Sequence, residues 1–413
     1  MDFDKFVEIV QRAERAKFDL VFFADGNSVP LIDDPETFAA TTPQGVPVLF
    51  EPTTLLAALA MVTKNIGLVA TATTTYDEPY LIARRFGSLN HLSRGRAGWN
   101  IVTTAWPADA KNFGDEDHLA KNLRYERAGE FVDVVKGLWD SWADDAFVED
   151  KVSGRYLDPT RVHTLNHVGK YLSVKGPLNM KRPPQGCPVL FSAGQSEDGR
   201  ELAARVSDCN FVTVSKKEEA LTLMSDIKGR MPKYGRTPDM LKIIPALSLY
   251  VAPTRSEAED IYDELNEMIM PSYGVASLSQ FVGIDLSQYP LDGPMPQIKF
   301  DALGEEGTRK TVADLIERDN LTIRQAYKRI LGYANQVVVG NPTDAADVME
   351  DWYRSGACDG FMLNGPYLPG GLINIFDLVV PELQRRGLFR TEYTGKTLRE
   401  NMGLPTPANQ FFQ

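Results

Sequence analysis

Apolar side chains at Phe6, Ile9, Val10 and Ala13 recur at helical spacing, and the short apolar run DLVFFAD at 19–25 follows them. The chain therefore opens as a helix and then a buried strand. The alternation repeats, with helices over about 53–64 and 79–92 each followed by a strand, at 66–72 (IGLVATA) and 97–102 (AGWNIV), and a further helix over about 124–142. After a polar stretch it resumes with strands at 188–193 (PVLFSA), 209–214 and 242–251, separated and followed by helices over about 198–206, 217–231 and 256–268. A last strand at 359–364 (DGFMLN) precedes a helix over about 373–386. Short strands alternating with helices predict parallel βαβ units.

These strands number seven, each apolar throughout, as strands buried on both faces are. The expected fold class is α/β, a (β/α)8 TIM barrel with insertions. Because the chain opens on a helix that should follow a strand, the first barrel strand is expected to be missing from it. A doubly wound open sheet is the competing architecture. Its first strand would lead into G-x-G-x-x-G, which does not occur here. Segments at about 26–48, 143–184 and 271–322 do not fit the alternation and read as insertions within a single domain spanning 1–413. The second contains a hairpin-like stretch, VHTLNHVGKYLSVKGP, and the third is long enough to be a lid.

Composition narrows the function classes. The 413 residues carry 44 Lys+Arg against 56 Asp+Glu, a formal charge of −12, which argues against a nucleic-acid or anionic-membrane partner. No apolar run is long enough to span a membrane, and the acidic, amphipathic start does not have the form of a signal peptide, so a cytoplasmic protein is expected. Cys187, Cys209 and Cys358 are odd in number and far apart, which fits a reduced compartment and no disulfide framework.

In a barrel, function collects where the strands end. Those positions are Asp25, the run ATATTT at 70–75, NIVTT at 100–104, SAGQSEDG at 192–199, Thr213, and Asn364 with Gly365. Amides and hydroxyls dominate them, which suits a neutral heteroaromatic ring better than a metal. Within PVLFSAGQSEDGRELAA a buried strand breaks through Ala193 and Gly194 into a helix whose N-cap would be Ser196. Free amides at that helix start make a candidate phosphate site, although a plain N-cap has the same look. A second candidate is LAKNLRYERAGEF, where Lys121 and Tyr125 share a face if the helix already runs there, the alternative being a solvated basic turn. Asp25 could serve as a general base, or hold a loop or a ring N–H. His163 and His167 have H-x-x-x-H spacing but no third ligand, so no metal site is expected. His91 reads as a helix-end cap or packing residue, and neither a G-x-S-x-G elbow nor a P-loop is present.

Taken together, FFAD at 22–25, EPTTLLAALAMVTKNIGLVATATTT at 51–75, PYLIARRFGSLNHLSRGRAGWNIVTT at 79–104, NFG at 112–114, RYERAGEFV at 124–132, AGQSEDGRELAA at 193–204 and DGFML at 359–363 closely resemble the bacterial luciferase-like superfamily. The likeness is to its branch of nitrilotriacetate, dibenzothiophene-sulfone and long-chain alkane monooxygenases, and it runs nearly the whole chain, including RTEYTGKTLRENMGL. The resemblance implies a TIM barrel that binds FMN at its mouth and uses FMNH2 from a separate NAD(P)H:flavin reductase, with O2, to oxidise a small organic substrate such as an aminopolycarboxylate, sulfone or alkane. It further implies a homodimer or homotetramer. Carried over, the flavin contacts fall on Asp25, Thr71, Lys121, Tyr125 and Ser196, with Asn100, Thr103 and Thr104 as further neighbours and phosphate contact from Ser196 and Tyr125. No residue is assigned a catalytic role. Two departures stand out: Lys121 occupies the place of a family histidine, and the first strand, which walls the flavin in relatives, is expected to be absent. Two other readings share the superfamily: a flavin-binding barrel without oxygenase activity, and a deazaflavin-dependent dehydrogenase.

Overall fold

The computed structural model describes residues 2–29, 31–45, 50–104, 106–297, 308–331 and 336–412. Parts of the insertions expected at 26–48 and 271–322 lie outside the described residues. Ten strands run in chain order as β1 (Leu20–Phe23), β2 (Gly67–Thr73), β3 (Ala97–Val102), β4 (His167–Val168), β5 (Ser173–Val174), β6 (Val189–Ala193), β7 (Cys209–Val212), β8 (Lys242–Val251), β9 (Gln336–Gly340) and β10 (Met362–Asn364). The helices that matter below are α1 (Phe3–Arg15), α2 (Pro52–Ala60), α3 (Pro79–Leu92), α4 (Lys121–Trp139), α5 (Glu197–Val206), α6 (Lys217–Arg230), α7 (Arg255–Glu267), α8 (Pro271–Val282), α9 (Thr308–Asp319), α10 (Ile323–Leu331) and α11 (Pro342–Arg354).

All seven expected strands pair in parallel in the order β1-β2-β3-β6-β7-β8-β10, the wall of an α/β barrel. β4 and β5 form the expected hairpin within 143–184. β9 was not anticipated. It pairs with the outer half of β8, Leu247–Val251, while the inner end of β8, Lys242–Pro245, pairs with β7. The wall is not closed. Among the described residues no strand joins β1 to β10, where the expected first strand would stand.

Alternation along each strand sorts side chains between two cores. On β2, Leu68, Ala70 and Ala72 point outward into the cluster shared with α2, α3 and α4, which also takes Trp99 and Ile101 of β3. Trp99 is fully buried there, and its indole N–H is satisfied by Ala72 O at 3.0 Å. Val69 points the other way, into the barrel, where it meets Val189, Phe191, Cys209 and Ile244. A Cβ on Gly98 would fall 2.9 Å from the Phe191 ring and 3.0 Å from Val69 Cγ2, so the close packing of this interior requires glycine at 98. The period of two therefore places Thr71 and Thr73 inward above Val69, at the end where strands deliver function.

The opposite end is plugged by the C-terminal segment. Leu398 and Leu404 enter the barrel core, Tyr393 donates to Phe18 O at 2.6 Å, and Arg390 pairs with Asp19. Arg399, 3% exposed, pairs with Asp208 at 2.7 Å and donates to Cys187 O. A buried guanidinium is tolerated because its charge is paired, although its Nε is buried without a partner among the described residues. At the mouth, α8, α9 and α10 form a separate apolar core around Leu278, Leu315 and Tyr327. The start of α8 is tied down by Gln44, whose amide donates to Met268 O at 2.7 Å and accepts from Met270 N–H at 2.8 Å.

Candidate active site

Two adjoining cavities occupy the mouth. The larger, of about 2050 Å³, is lined there by Lys121, Arg124, Tyr125 and Ser196, and it runs down past both edge strands to Lys242 and Arg390. The smaller, of about 250 Å³, is lined by Asp25, Thr71, Thr103, Thr104 and Tyr125. Thr103, Thr104 and Tyr125 face both. Seven of the eight residues singled out from the sequence thus line one connected space. The eighth, Asn100, is buried directly behind Thr71 and donates its amide N–H to Thr71 Oγ1 at 2.9 Å.

That bond has a direction. Because Thr71 Oγ1 already accepts from Asn100, its own proton is left for another acceptor, and Asn100 Oδ1 is buried with no hydrogen-bond partner. A ligand edge carrying a carbonyl would accept the Thr71 proton.

The threonines after β2 and β3 are latched to one another. Thr75 Oγ1 donates to Thr103 O at 2.9 Å, and Thr74 N donates to Val102 O at 2.9 Å. Thr104 stands at φ +55°, a left-handed conformation that costs a β-branched residue roughly 1–3 kcal/mol. Its hydroxyl meets that of Thr73 at 2.6 Å.

Two helix starts converge on the larger cavity. α4 begins at Lys121, one turn before the expected boundary, so Lys121 and Tyr125 do share a face. Its N-cap, Ala120, offers no side-chain acceptor and its first turn holds no acid. Instead it carries Lys121, without an ion pair among the described residues, and Arg124, whose Nε and Nη1 are buried and unpartnered. Cations at the positive end of a helix dipole are unfavourable unless an anion joins them.

At the start of α5, Ser196 caps as expected, its Oγ accepting from Gly199 N–H at 3.3 Å. The remaining first-turn amides have no intrahelical acceptor. Gly194 and Gly199 touch backbone to backbone. A Cβ on Gly199 would lie 3.0 Å from Gly194 Cα, and one on Gly194 would lie 3.1 Å from Gly199 Cα and 3.5 Å from the Tyr125 hydroxyl. Glu197, an acid beside this turn, is engaged by Arg230 and Arg200, which hold its carboxyl below the usual range.

Asp25 is pushed up to about 6, chiefly by burial; a backbone bond from Gly26 opposes the shift, and the negative charges of Glu51, Asp77 and Asp109 add to it. Asp109, 2% exposed, accepts from Ser28.

Several contributors act through bonds between residues far apart in the chain. Gln195 and Thr213 are joined by two hydrogen bonds across the turn before α5. His118 Nδ1 lies 2.5 Å from the Tyr76 hydroxyl, and its Nε2 donates to Trp106 O at 2.6 Å. Tyr76 stacks on Phe113, and Trp106 lines both cavities, so this pair fixes the loop after β3. His163 and His167 diverge, the first stacking on Phe411 and the second bonding to Glu130 at 2.9 Å. Among the described residues no group of His, Cys, Asp and Glu is placed to hold a metal, and no helix is long and apolar enough to cross a membrane. His91 lies in the last turn of α3, within reach of Lys181 O.

Comparison with known proteins places the chain in a family. The family model described as luciferase-like monooxygenase matches residues 1–359. The chain is 46% identical to N-acetyl-S-(2-succino)cysteine monooxygenase of Bacillus subtilis strain 168, covering 100% of this chain and 92% of that one. It is likewise 46% identical to nitrilotriacetate monooxygenase component A of Aminobacter aminovorans, over 99% and 91% of the two chains. Among solved structures it superposes on a riboflavin lyase determined with modified FMN and riboflavin, with a TM-score of 0.84 and 34% identity over 98% and 90% of the chains.

Proposed function

The chain belongs to the luciferase-like monooxygenase family, and from that premise we propose that it is the oxygenase component of a two-component monooxygenase that works with reduced FMN. The observation that carries this reading is the pairing of two helix starts: unclaimed amides behind Ser196, the Tyr125 hydroxyl, and the unpaired Lys121 and Arg124 together fit a phosphate at one end of a cavity. At the other end, the Thr71 proton, oriented by Asn100 behind it, fits an acceptor on the edge of a flavin ring, with Asp25, Thr103 and Thr104 beside it. FMNH2, delivered by a separate NAD(P)H:flavin reductase, would supply the electrons that activate O2.

On this reading the chain's own residues bind and orient. Ser196 and Tyr125 anchor the phosphate, Lys121 neutralises charge in place of a histidine, and the Thr103–Thr104 segment, latched from β2, holds a fixed wall. The α8–α10 insertion covers the mouth, with Tyr273, Ser277, Gln280 and Phe281 facing the cavity. N-acetyl-S-(2-succino)cysteine and nitrilotriacetate, named for the two 46% identical relatives, each bear several carboxylates, so a small carboxylate-bearing substrate is the class we favour. A homodimer or homotetramer in the cytoplasm completes the proposal.

The test is a reductase-coupled assay with FMN, NADH and O2, read by mass spectrometry for an added oxygen or a lost fragment. Nitrilotriacetate, N-acetyl-S-(2-succino)cysteine, dibenzothiophene sulfone and hexadecane serve as substrates. Turnover of a carboxylate compound is expected, and no product from any substrate while O2 is consumed would sink the oxygenase reading. Steady NADH oxidation by the pure chain with FMN would remove the need for a separate reductase.

A further inference from the structure

The turn that presents Ser196 is held by one side chain. Gln195 Nε2 donates to Thr213 O at 2.9 Å, and Gln195 Oε1 accepts from Thr213 N–H at 2.9 Å. The last paired residues of β6 and β7 are Ala193 and Phe211, so this amide extends the ladder two residues past the point where the backbones part. Each polar end of the amide spends one bond on Thr213, which fixes the plane of a side chain that also lines the cavity. Held in this way, Gln195 acts on the site through its neighbours.

Those neighbours have no slack. Gly194 is in backbone contact with Gly199, Ser196 caps α5, and the Tyr125 hydroxyl stands over the turn. If the amide clamp is released, the loop from 194 to 196 is tied to β7 only through the covalent chain, and the amides at the helix start lose their fixed direction. A helix-start anion site depends on that direction, because its donors are backbone groups that cannot reorient singly.

We propose that Gln195 is a positioning residue that sets the preference of the site for phosphorylated FMN over riboflavin. This rests on the phosphate placement given under Proposed function. The experiment is a fluorescence titration of oxidised FMN and of riboflavin against the native protein, Gln195→Met, which keeps length without polarity, and Gln195→Glu, which keeps one acceptor but sets a second oxygen against Thr213 O. Loss of about tenfold in FMN affinity with riboflavin unchanged is expected for both variants, the scale of one misdirected hydrogen bond to a charged group. Equal weakening of both ligands would make Gln195 merely structural and overturn the proposal, as would variants that keep the native ratio. Native protein that binds the two flavins equally would instead overturn the phosphate placement itself. Should Gln195→Met not be recovered folded, Gln195→Glu carries the same comparison.

Discussion

The hydroxyls of Thr73 and Thr104 lie 2.6 Å apart, and the bond between them joins the end of one barrel strand to a residue held at φ +55° just past the next. Thr73 also accepts from Thr75 N–H at 3.0 Å, so one side chain organises both loops. Thr73→Val should cost roughly 1–2 kcal/mol of stability through loss of these buried bonds, while Thr73→Ser should cost little. Urea unfolding of the two variants checks this. Equal stability of the valine and serine variants would mean that Thr104 is held by something else.

Asp25 gives the fold a pH dependence of known sign. Its carboxyl is raised from 3.8 to about 6 in the folded state, so the native protein binds this proton more tightly than the unfolded chain does. The associated stability is fully present below about pH 4 and is lost as pH rises through about 6. Asp25→Asn should flatten this part of the profile and leave the variant more stable than the parent at pH 8. Thermal unfolding between pH 4 and 8 measures it; parallel profiles would contradict the assignment.

Ser196→Ala and Tyr125→Phe are expected to weaken FMN binding by roughly 10- to 100-fold each, the scale of a hydrogen bond to a charged group. Ser196→Ala should also cost about 1 kcal/mol of stability as a lost N-cap, which Tyr125→Phe should not. Flavin titration together with unfolding separates the effects. Unchanged affinity in both variants would remove the phosphate from this end of the cavity.

The far end of the barrel should behave as a separate unit. Arg399→Leu leaves the partly buried Asp208 without its cation, held among the described residues only by the Leu190 N–H, and is expected to destabilise the protein by roughly 2–4 kcal/mol. FMN affinity, measured under conditions where the variant is still folded, should stay within about twofold of the parent, because stabilities at distant sites are independent. A large change in flavin affinity would show that the plug and the mouth are coupled.

The seven barrel strands were legible because each is apolar on both faces and bounded by helical spacing, and Ser196 because a strand, two small residues and a cap follow one another within the turn. β9 and α11 escaped notice. QVVVG comes after the segment read as an insertion, where the expected alternation is broken, and pairs with the protruding half of β8, so its sequence neighbours did not mark it as part of a sheet. Gln195, His118 and Asp109 were illegible for a different reason. Their partners are Thr213, Tyr76 and Ser28, residues 18, 42 and 81 positions away, and no local pattern encodes a bond that exists only after the barrel has formed.

Among the described residues, the seam between β1 and β10 decides what kind of surface the larger cavity meets on that side. The peptide groups along an unpaired strand edge need hydrogen-bonding partners, and water meets that need when no strand does. Here the edges Leu20–Phe23 and Met362–Asn364 border the same cavity as Thr103 and Ser196. On that side the larger cavity is therefore bounded by backbone edges rather than by side chains, so whatever occupies it lies against the peptide groups of two strands.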